Sequence, residues 1–357
     1  MTIPQALYDK WSNNILARMR NPVLEIIAVE ITRKCNLNCI FCGSPKETIC
    51  ERELTREELV SMFKKIKDFA DLDKVKFVCF TGGEPLLRKD LLPILRDLQS
   101  LGYKNFAIQT NGLILADNKD LIGKLIQNGV GGIGTNIDGI PSTHNKLRAC
   151  ANAYEKAIKA IHNLLEYKGQ ISTTITTTVS KMNINELEEV KKLVLKLQPD
   201  IWRINPVISI GRTKHSNNLV LSTSEYKKLH EFILVNRVST KEINIERACG
   251  EWLGMELEGF LRPYVWHCVS GINTMTILCD GNITGCSNID RKYIQGNGLR
   301  EDIKEIWQNR FEIFRNADLR KTGECADCSQ WPYCHGGCFH NRDENFNLDF
   351  CGFKNLN

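Results

Sequence analysis

Short apolar runs, rich in β-branched residues, alternate with longer amphipathic stretches between residue 24 and about residue 208. The apolar runs predict six strands, at residues 24–32, 74–80, 104–110, 132–138, 171–179 and 200–207. The amphipathic stretches predict helices near residues 55–69, 90–101, 118–128, 152–167 and 184–197. Strands that alternate with helices indicate a parallel sheet. From the periodicity alone, a doubly wound sheet and an open or closed (β/α) barrel fit equally well.

The pattern changes in the rest of the chain. Residues 209–248 predict a helical connection, and residues 249–357 hold nine of the fifteen cysteines among glycine turns. A loop-rich segment with that many cysteines is typical of a small domain held together by metal. We therefore expect four parts: an N-terminal extension at 1–22, an α/β unit at 23–208, the connection at 209–248 and a cysteine-rich domain at 249–357.

Composition narrows the classes of function. A chain of 357 residues, 42% of them hydrophobic, can bury a large core. Its 47 basic and 42 acidic residues give a net charge of +5 without a basic block, which argues against nucleic acid and anionic membranes as partners. The sequence has neither a long apolar span nor a secretory signal, so we expect a cytoplasmic protein. Fifteen cysteines in the reducing cytosol favour metal binding over disulfides.

Three cysteines follow the first predicted strand directly. Cys35, Cys39 and Cys42 have the spacing C-x3-C-x2-C, in a loop at the carboxyl end of the sheet. Thiolates are soft ligands that suit both zinc and iron–sulfur clusters. A structural zinc site closes a shell of four ligands, whereas a cluster held by three thiolates leaves one iron open for a small molecule. The odd number of thiols therefore favours a cluster.

This spacing, with the aromatic Phe41 before the last cysteine, resembles the signature of the radical S-adenosylmethionine (SAM) superfamily. The resemblance extends to motifs at the ends of the next three predicted strands. They are Thr81-Gly82-Gly83-Glu84-Pro85, then Thr110-Asn111-Gly112, then Asn136-Ile137-Asp138-Gly139 followed by His144 and Arg148. The resemblance implies an α/β fold, a partial (β/α)6 barrel of the TIM type, with these motifs around one pocket.

The resemblance also implies a chemistry. The open iron binds SAM, and one electron from the reduced cluster releases a 5′-deoxyadenosyl radical that abstracts hydrogen from a substrate. In this sequence the Gly82–Pro85 backbone would meet the SAM amino group, and the Phe41 backbone the adenine. Asn111, Asp138 and Arg148 would contact ribose, carboxylate or substrate. Relatives often have glycine after this arginine, where this chain has Ala149.

The cysteines of the tail resemble the SPASM pattern, which extends one branch of the superfamily. By that resemblance two auxiliary 4Fe–4S clusters join the SAM-binding one, three in all. The first would be held by Cys268, Cys286 and Cys338, and the second by Cys325, Cys328, Cys334 and Cys351. Chemistry alone also allows a zinc knuckle for C-x2-C-x5-C-x3-C. A fourth ligand of the first auxiliary cluster would be Cys249, which we favour slightly, or Cys279, unless that iron stays open.

Three functions compete. The first is a SPASM-type enzyme that modifies a peptide or protein by crosslinking, oxidation or epimerisation; an epimerase needs a thiol hydrogen donor, for which Cys150 and Cys249 are candidates. The second is a radical SAM enzyme acting on a sugar, a cofactor precursor or a porphyrin, and VEITRKCNLNC looks like the entry to haem-pathway relatives. The third is a non-enzymatic iron–sulfur carrier, which would not need the motifs that contact SAM. Either enzyme would need an electron donor such as flavodoxin or ferredoxin.

Overall fold

A computed structural model of the chain describes residues 4–44, 50, 52–214, 218–248, 250–262, 264–343 and 345–356. All six predicted strands are present and parallel, and each pairs with the next in the sequence. They are β1 (Ile26–Thr32), β2 (Phe77–Gly82), β3 (Phe106–Gln109), β4 (Val130–Asn136), β5 (Ser172–Val179) and β6 (Ile201–Pro206). A doubly wound sheet reverses its strand order at a switch point. The unbroken order from β1 to β6 is instead that of a partial (β/α) barrel, as expected.

Helices cover the sheet between these strands. In the described ranges they are α1 (Gln5–Arg20), α2 (Arg56–Lys67), α3 (Leu91–Ser100), α4 (Leu113–Asp117), α5 (Asp120–Gln127), α6 (Pro141–Arg148), α7 (Ala153–Leu165), α8 (Leu187–Leu197), α9 (Thr223–Ser239), α10 (Ile303–Asn309), α11 (Glu312–Arg315), α12 (Trp331–Cys334) and α13 (Gly352–Leu356). Capping boxes at Thr55 and Ser222 begin α2 and α9, because each side chain accepts a hydrogen bond from the third helical N–H. Within the described ranges, no helix combines the length and apolar character needed to cross a membrane.

The sheet continues on both sides of the six strands. Beyond β6 lies β7 (Asn244–Glu246), which is parallel to it, and β8 (Thr274–Ile277) pairs in parallel with β1. An antiparallel pair, β9 (Asn282–Thr284) and β10 (Gly296–Asn297), completes a sheet of ten described strands. The cysteine-rich tail is therefore built directly onto β1, the strand that Cys35, Cys39 and Cys42 follow.

The apolar core lies between the sheet and its helices. Side chains of the strands that face the helices, such as Val78, Ile108 and Ile133, are almost completely buried against the apolar stripes of α2, α3 and α5. A second cluster joins β5 and β6 to α8 and α9 around the buried Trp202. These two clusters hold the strands in register and so fix where their carboxyl ends, and the loops that follow them, lie.

The N-terminal helix α1 packs against the tail. Tyr8 is buried, and its hydroxyl donates to the carbonyl of Met255; Trp11 stacks on Trp252 at a ring distance of 6.1 Å. Ser12 contacts His335 at 3.1 Å. The sequence predicted only an extension here, and the structure shows that this extension covers part of the cysteine-rich segment.

Candidate active site

Cys35, Cys39 and Cys42 lie in the loop that follows β1, which we call the cysteine loop (residues 33–44). All three thiols are partly exposed, and Leu37 N–H donates to the Cys35 sulfur at 3.5 Å. Burial raises the pKa of Cys35 and of Cys42. Without metal, Cys35 and Cys42 therefore keep their protons at neutral pH, and these protons would be released when a cluster binds.

The Gly82–Pro85 segment lies directly against the start of the cysteine loop. Gly83 N–H donates to the Thr32 carbonyl at 2.8 Å, and Glu84 N–H donates to the Lys34 carbonyl at 2.7 Å. A Cβ on Gly83 would lie 2.2 Å from the Lys34 oxygen, so only glycine permits this approach. The two glycines thus set the distance between this segment and the residue before Cys35.

The Glu84 carboxylate connects this segment to the loop after β3. It is buried and accepts hydrogen bonds from the Thr110 hydroxyl at 2.7 Å and from Asn111 N–H at 2.8 Å. Burial raises its pKa. Asn111 in turn donates to the side chain of Asn36, between the first two cysteines, at 2.7 Å. The Glu84 side chain therefore joins two motifs, while the backbone around it remains the predicted SAM contact.

Asp138 and Arg148 form a buried ion pair beside the cysteine loop. Arg148 Nε donates to Asp138 at 2.6 Å, and Thr178 N–H donates to the other carboxylate oxygen at 2.9 Å. Burial disfavours the guanidinium charge, but the Asp138 carboxylate and the Cys39 sulfur together outweigh this and raise the pKa of Arg148. Arg148 lies over the Phe41 ring at 5.1 Å and donates to the Cys39 sulfur at 3.8 Å. The ion pair thus holds the Arg148 guanidinium next to Cys39, one of the predicted cluster ligands.

The backbone conformation of Ala149 explains why relatives often have glycine after this arginine. It ends α6 in the left-handed conformation, with φ of 52° and ψ of 44°. A Cβ is strained there and glycine is not. We expect Ala149→Gly to stabilise the protein by about 0.5–1 kcal/mol, the relief of strain exceeding the added freedom of the unfolded chain. Denaturant unfolding measures the change.

A reverse substitution is the control for Ala149→Gly. Gly169 has φ of +85°, and an added Cβ would meet nothing within 4 Å. Gly169→Ala should therefore destabilise the protein by backbone strain alone. Equal unfolding free energies for Ala149→Gly and the wild type would contradict the account.

The loop after β6 also holds the cysteine loop, and sequence reasoning missed it. Arg212 donates through its backbone N–H to the Cys42 carbonyl at 3.0 Å and through its guanidinium to the Cys39 carbonyl at 2.7 Å. Gly211 has φ of +56°, and a Cβ there would lie 2.3 Å from the Cys42 oxygen. The only sequence signal was a Gly-Arg pair after a strand, which is too common to single out.

The seven tail cysteines form two groups. Cys268 and Cys338 share a hydrogen bond, which lowers the pKa of Cys268, and Cys286 lies within electrostatic range of Cys338. In the other group, burial and then the neighbouring Cys351 and Cys325 raise the pKa of Cys334 to about 12. Cys328 adds to the charge felt by Cys351, and Arg342 donates to the Cys325 sulfur at 3.2 Å. The grouping is the one that the SPASM resemblance implies.

Three further cysteines were candidates from the sequence, Cys249 and Cys279 as cluster ligands and Cys150 as a hydrogen donor. Cys249 falls outside the described residues. Cys279 is buried and contacts the Cys50 sulfur at 2.8 Å. Cys150, a candidate hydrogen donor, donates to Asn152 at 3.2 Å. Among the described residues, no three His, Cys, Asp or Glu side chains already surround a point where a metal ion would sit, so ligation by these cysteines stays a prediction.

A cavity of about 990 Å³ opens between the cysteine loop, the loop after β6 and the tail. Gly43 and Ser44 line it on one side, and Ser287, Phe339 and His340, neighbours of the cysteines of the first tail group, line it on the other. Its basic side chains are Arg33, Lys214, Arg291, Lys292 and Arg342, and its acidic ones are Glu251, Asp290, Asp343 and Asp349. Its apolar wall includes Ile208, Ile210, Val220, Leu221 and Phe350. This volume suits a ligand of cofactor size.

The donor set at the cysteine loop fits an iron–sulfur cluster. It offers three soft sulfur atoms from one loop, with backbone carbonyls held by Arg212 and one sulfur contacted by Arg148. Gly82 and Gly83 keep side chains away from the start of that loop. These residues would accept a cluster and leave backbone groups of the Gly82–Pro85 segment beside it.

Comparisons with known proteins agree with this geometry. The radical SAM superfamily model matches residues 29–194, and the SPASM model, an iron-sulfur cluster-binding domain, matches residues 268–329. An AdoMet-dependent heme synthase of Methanosarcina barkeri is 28% identical over 330 residues, 87% of this chain and 90% of the relative. An Fe-coproporphyrin III synthase of the same organism is 26% identical over 337 residues, 87% and 82% of the two chains. A probable GTP 3′,8-cyclase of Saccharolobus islandicus is 30% identical over 296 residues, 79% and 90%.

Two solved structures share the fold. Native anSMEcpe with bound AdoMet superposes with a TM-score of 0.71 at 19% identity, over 93% of this chain and 94% of that one. SuiB of Streptococcus suis, bound to S-adenosylmethionine, gives a TM-score of 0.70 at 16% identity, over 97% and 84% of the two chains. At these identities the likeness extends to the fold alone.

Proposed function

Because this chain belongs to the radical SAM superfamily and carries a SPASM domain, we propose that it abstracts hydrogen from a small molecule of the porphyrin class. It is an enzyme of the SPASM type that uses SAM and iron–sulfur clusters. The proposal adds the substrate class, three 4Fe–4S clusters and an external one-electron donor such as flavodoxin or ferredoxin. The observation that carries the substrate class is the large and partly apolar cavity beside the cysteine loop, with Arg33 and Arg291 in its wall.

The named sequence relatives support a small-molecule substrate. Two of them are a heme synthase and an Fe-coproporphyrin III synthase, and a third is a probable cyclase of GTP. Peptide modification, the first hypothesis from the sequence, has less support. A related fold has been solved with a Kp18Cys peptide, but at 20% identity that likeness carries no substrate.

The charges around the cavity suit a ligand with carboxylates. Arg33 and Arg291 both donate to the Glu30 carboxylate, at 2.8 Å and at 2.9 and 3.0 Å. The Glu30 carboxylate thus holds two guanidinium groups side by side at the cavity wall. Coproporphyrin carries propionate carboxylates on an apolar ring, so its acid groups would meet these arginines while its ring packs on the apolar wall.

The chain's residues would divide the work at the SAM site. When bound, a cluster with an open iron supplies SAM with the electron that releases the radical. Cys35, Cys39 and Cys42 would hold the cluster, and the Gly82–Pro85 backbone would receive the SAM amino group. Phe41, Asn111, Asp138 and Arg148 would surround the rest of SAM or hold the loop in place. The cavity walls would exclude water from the reacting atoms.

The first experiment tests the cofactors. The protein is reconstituted without oxygen, and iron, sulfide, zinc and reductant-dependent 5′-deoxyadenosine are measured for the wild type and for Cys35/Cys39/Cys42→Ala. We expect about twelve irons per chain, a loss of about four in the variant, and no deoxyadenosine from it. Zinc in the tail of the wild type, without SAM cleavage, would refute the proposal.

The second experiment tests the substrate class. Anaerobic absorbance titration with iron coproporphyrin III should show saturable binding, weakened about 10-fold or more in Arg291→Gln because a charge-assisted hydrogen bond is lost. Arg300→Gln removes the same charge from an exposed position outside the cavity lining and should bind like the wild type. Radical formation that depends on a peptide or on GTP, but not on the porphyrin, would overturn the substrate assignment.

A further inference from the structure

Two cysteines that belong to neither motif lie in contact with each other. Cys50 and Cys279 have their sulfur atoms 2.8 Å apart, although 229 positions separate them in the chain. Cys50 is partly exposed and donates to the Arg52 carbonyl at 3.3 Å, whereas Cys279 is 3% exposed. We propose that Cys50 and Cys279 are a redox modification site, a dithiol that a low-molecular-weight disulfide converts reversibly into an intramolecular disulfide.

The backbone already brings the two segments together. Leu54 N–H donates to the Cys279 carbonyl at 2.6 Å. The neighbouring Gly281 has φ of +84°, and a Cβ there would lie 3.3 Å from Leu54, so the chain after Cys50 packs closely on the turn between β8 and β9. Bonded sulfur atoms lie about 2.05 Å apart, so only a small movement of the two side chains is needed.

The exposed thiol is also accessible to a reagent. Cys50 lines an opening of about 550 Å³ together with Arg33, Lys34, Cys35, Arg52 and Glu53. In this opening Arg52 is paired with Glu58 and Arg33 with Glu30, so it is the exposure of Cys50 rather than charge that admits a small disulfide such as oxidised glutathione. Cys279 is buried and contacts the partly exposed Cys50, so exchange with a reagent begins at Cys50.

The chemistry balances as two exchanges. The Cys50 thiolate attacks one sulfur of oxidised glutathione, a Cys50–glutathione disulfide forms, and one glutathione thiolate leaves. The Cys279 thiolate then attacks the Cys50 sulfur, the protein disulfide forms, and the second glutathione leaves. Each cysteine gives up one proton and one electron, and one glutathione disulfide is reduced to two thiols. Excess reduced glutathione reverses both steps.

The disulfide would link the barrel to the tail. It would join Cys50, which precedes α2 in the sequence, to Cys279 in the turn between β8 and β9. Cys279 also lies close enough to Glu30 to share a hydrogen bond with it, and Glu30 holds Arg33 and Arg291 at the cavity wall. Cys279 therefore contacts the carboxylate that holds both arginines. Oxidation to the disulfide would remove the Cys279 S–H and with it the hydrogen bond to Glu30.

The test uses the reconstituted holoprotein, kept without oxygen and treated with oxidised glutathione. Alkylation in denaturant, intact mass and mapping of linked peptides then follow. The wild type should lose two alkylatable thiols, and a peptide containing Cys50 should be linked to one containing Cys279. Cys279→Ser should trap the glutathione adduct on Cys50, because the second exchange is blocked. Cys50→Ser should stay unmodified at Cys279.

Controls separate this site from the cluster ligands. Cys150→Ser removes a partly exposed thiol whose S–H donates to Asn152, much as Cys50 donates to Arg52, and the Cys50–Cys279 link should still form. Iron content should be unchanged in Cys279→Ser. Loss of iron in that variant would identify Cys279 as a cluster ligand and overturn the proposal, as would a stable adduct on Cys50 in the wild type or a link between other cysteines.

Discussion

Gly83→Ala should lower reductive cleavage of SAM by at least about 100-fold while the iron held by the tail stays in place. The added Cβ would lie 2.2 Å from the Lys34 oxygen, 2.6 Å from the Lys34 carbonyl carbon and 2.7 Å from the Arg33 oxygen. All three atoms belong to backbone, so no rotation of a side chain relieves the clash. Either the Gly82–Pro85 segment or the start of the cysteine loop must move, and the predicted SAM contacts separate from Cys35.

Gly131→Ala is the matched control for Gly83→Ala. Gly131 lies in β4 of the same sheet, but it is exposed and a Cβ there would meet nothing within 4 Å. Its SAM cleavage and iron content should equal those of the wild type. Measurement of 5′-deoxyadenosine and of iron per chain decides the matter. Full SAM cleavage by Gly83→Ala would show that the close approach of the two segments has no part in the reaction.

The sequence could predict the strands and helices of the barrel but not the order of the strands in the sheet. Strand and helix periods are local properties, and all six strands lie within a few residues of their predicted positions. The order of the strands depends on long-range pairing, on which periodicity contains no information. The resemblance to the radical SAM superfamily supplied that order. The short helices α4 and α6 were missed, because α4 has only five residues and α6, PSTHNKLR, has too few apolar side chains to show a period.

The candidate site, too, could be predicted from the sequence only in part. Residues that follow a strand end, such as Asn111 and Asp138, could be placed from the sequence, because parallel strands bring their carboxyl ends to one edge. Contacts between distant segments could not. Arg212 reaches the cysteine loop across 173 positions, and Cys50 meets Cys279 across 229. The use of the Glu84 carboxylate to join two motifs also required the fold.

The pair Asp138–Arg148 should have the second large effect. Asp138→Asn keeps the shape of the side chain but removes the charge that compensates a buried guanidinium, and we expect a loss of about 3–5 kcal/mol of unfolding free energy. Asp138 is completely buried and holds both Arg148 and the backbone of Thr178. SAM cleavage should fall as well, because Arg148 also contacts the Cys39 sulfur. Anaerobic denaturant unfolding and 5′-deoxyadenosine formation measure the two losses.

Two further variants decide whether the uncompensated charge is the cause. In Asp138→Asn/Arg148→Met no guanidinium is left unpaired, so this protein should be more stable than Asp138→Asn alone, as a double-mutant cycle would show. Asp117→Asn breaks the exposed pair of Asp117 with Lys156, 2.6 Å apart, and should leave stability unchanged because water solvates both groups. If the double variant is the less stable of the two, packing around Arg148 rather than its charge explains the loss. In that case the contact of Arg148 with Phe41 would be what holds α6 against the cysteine loop.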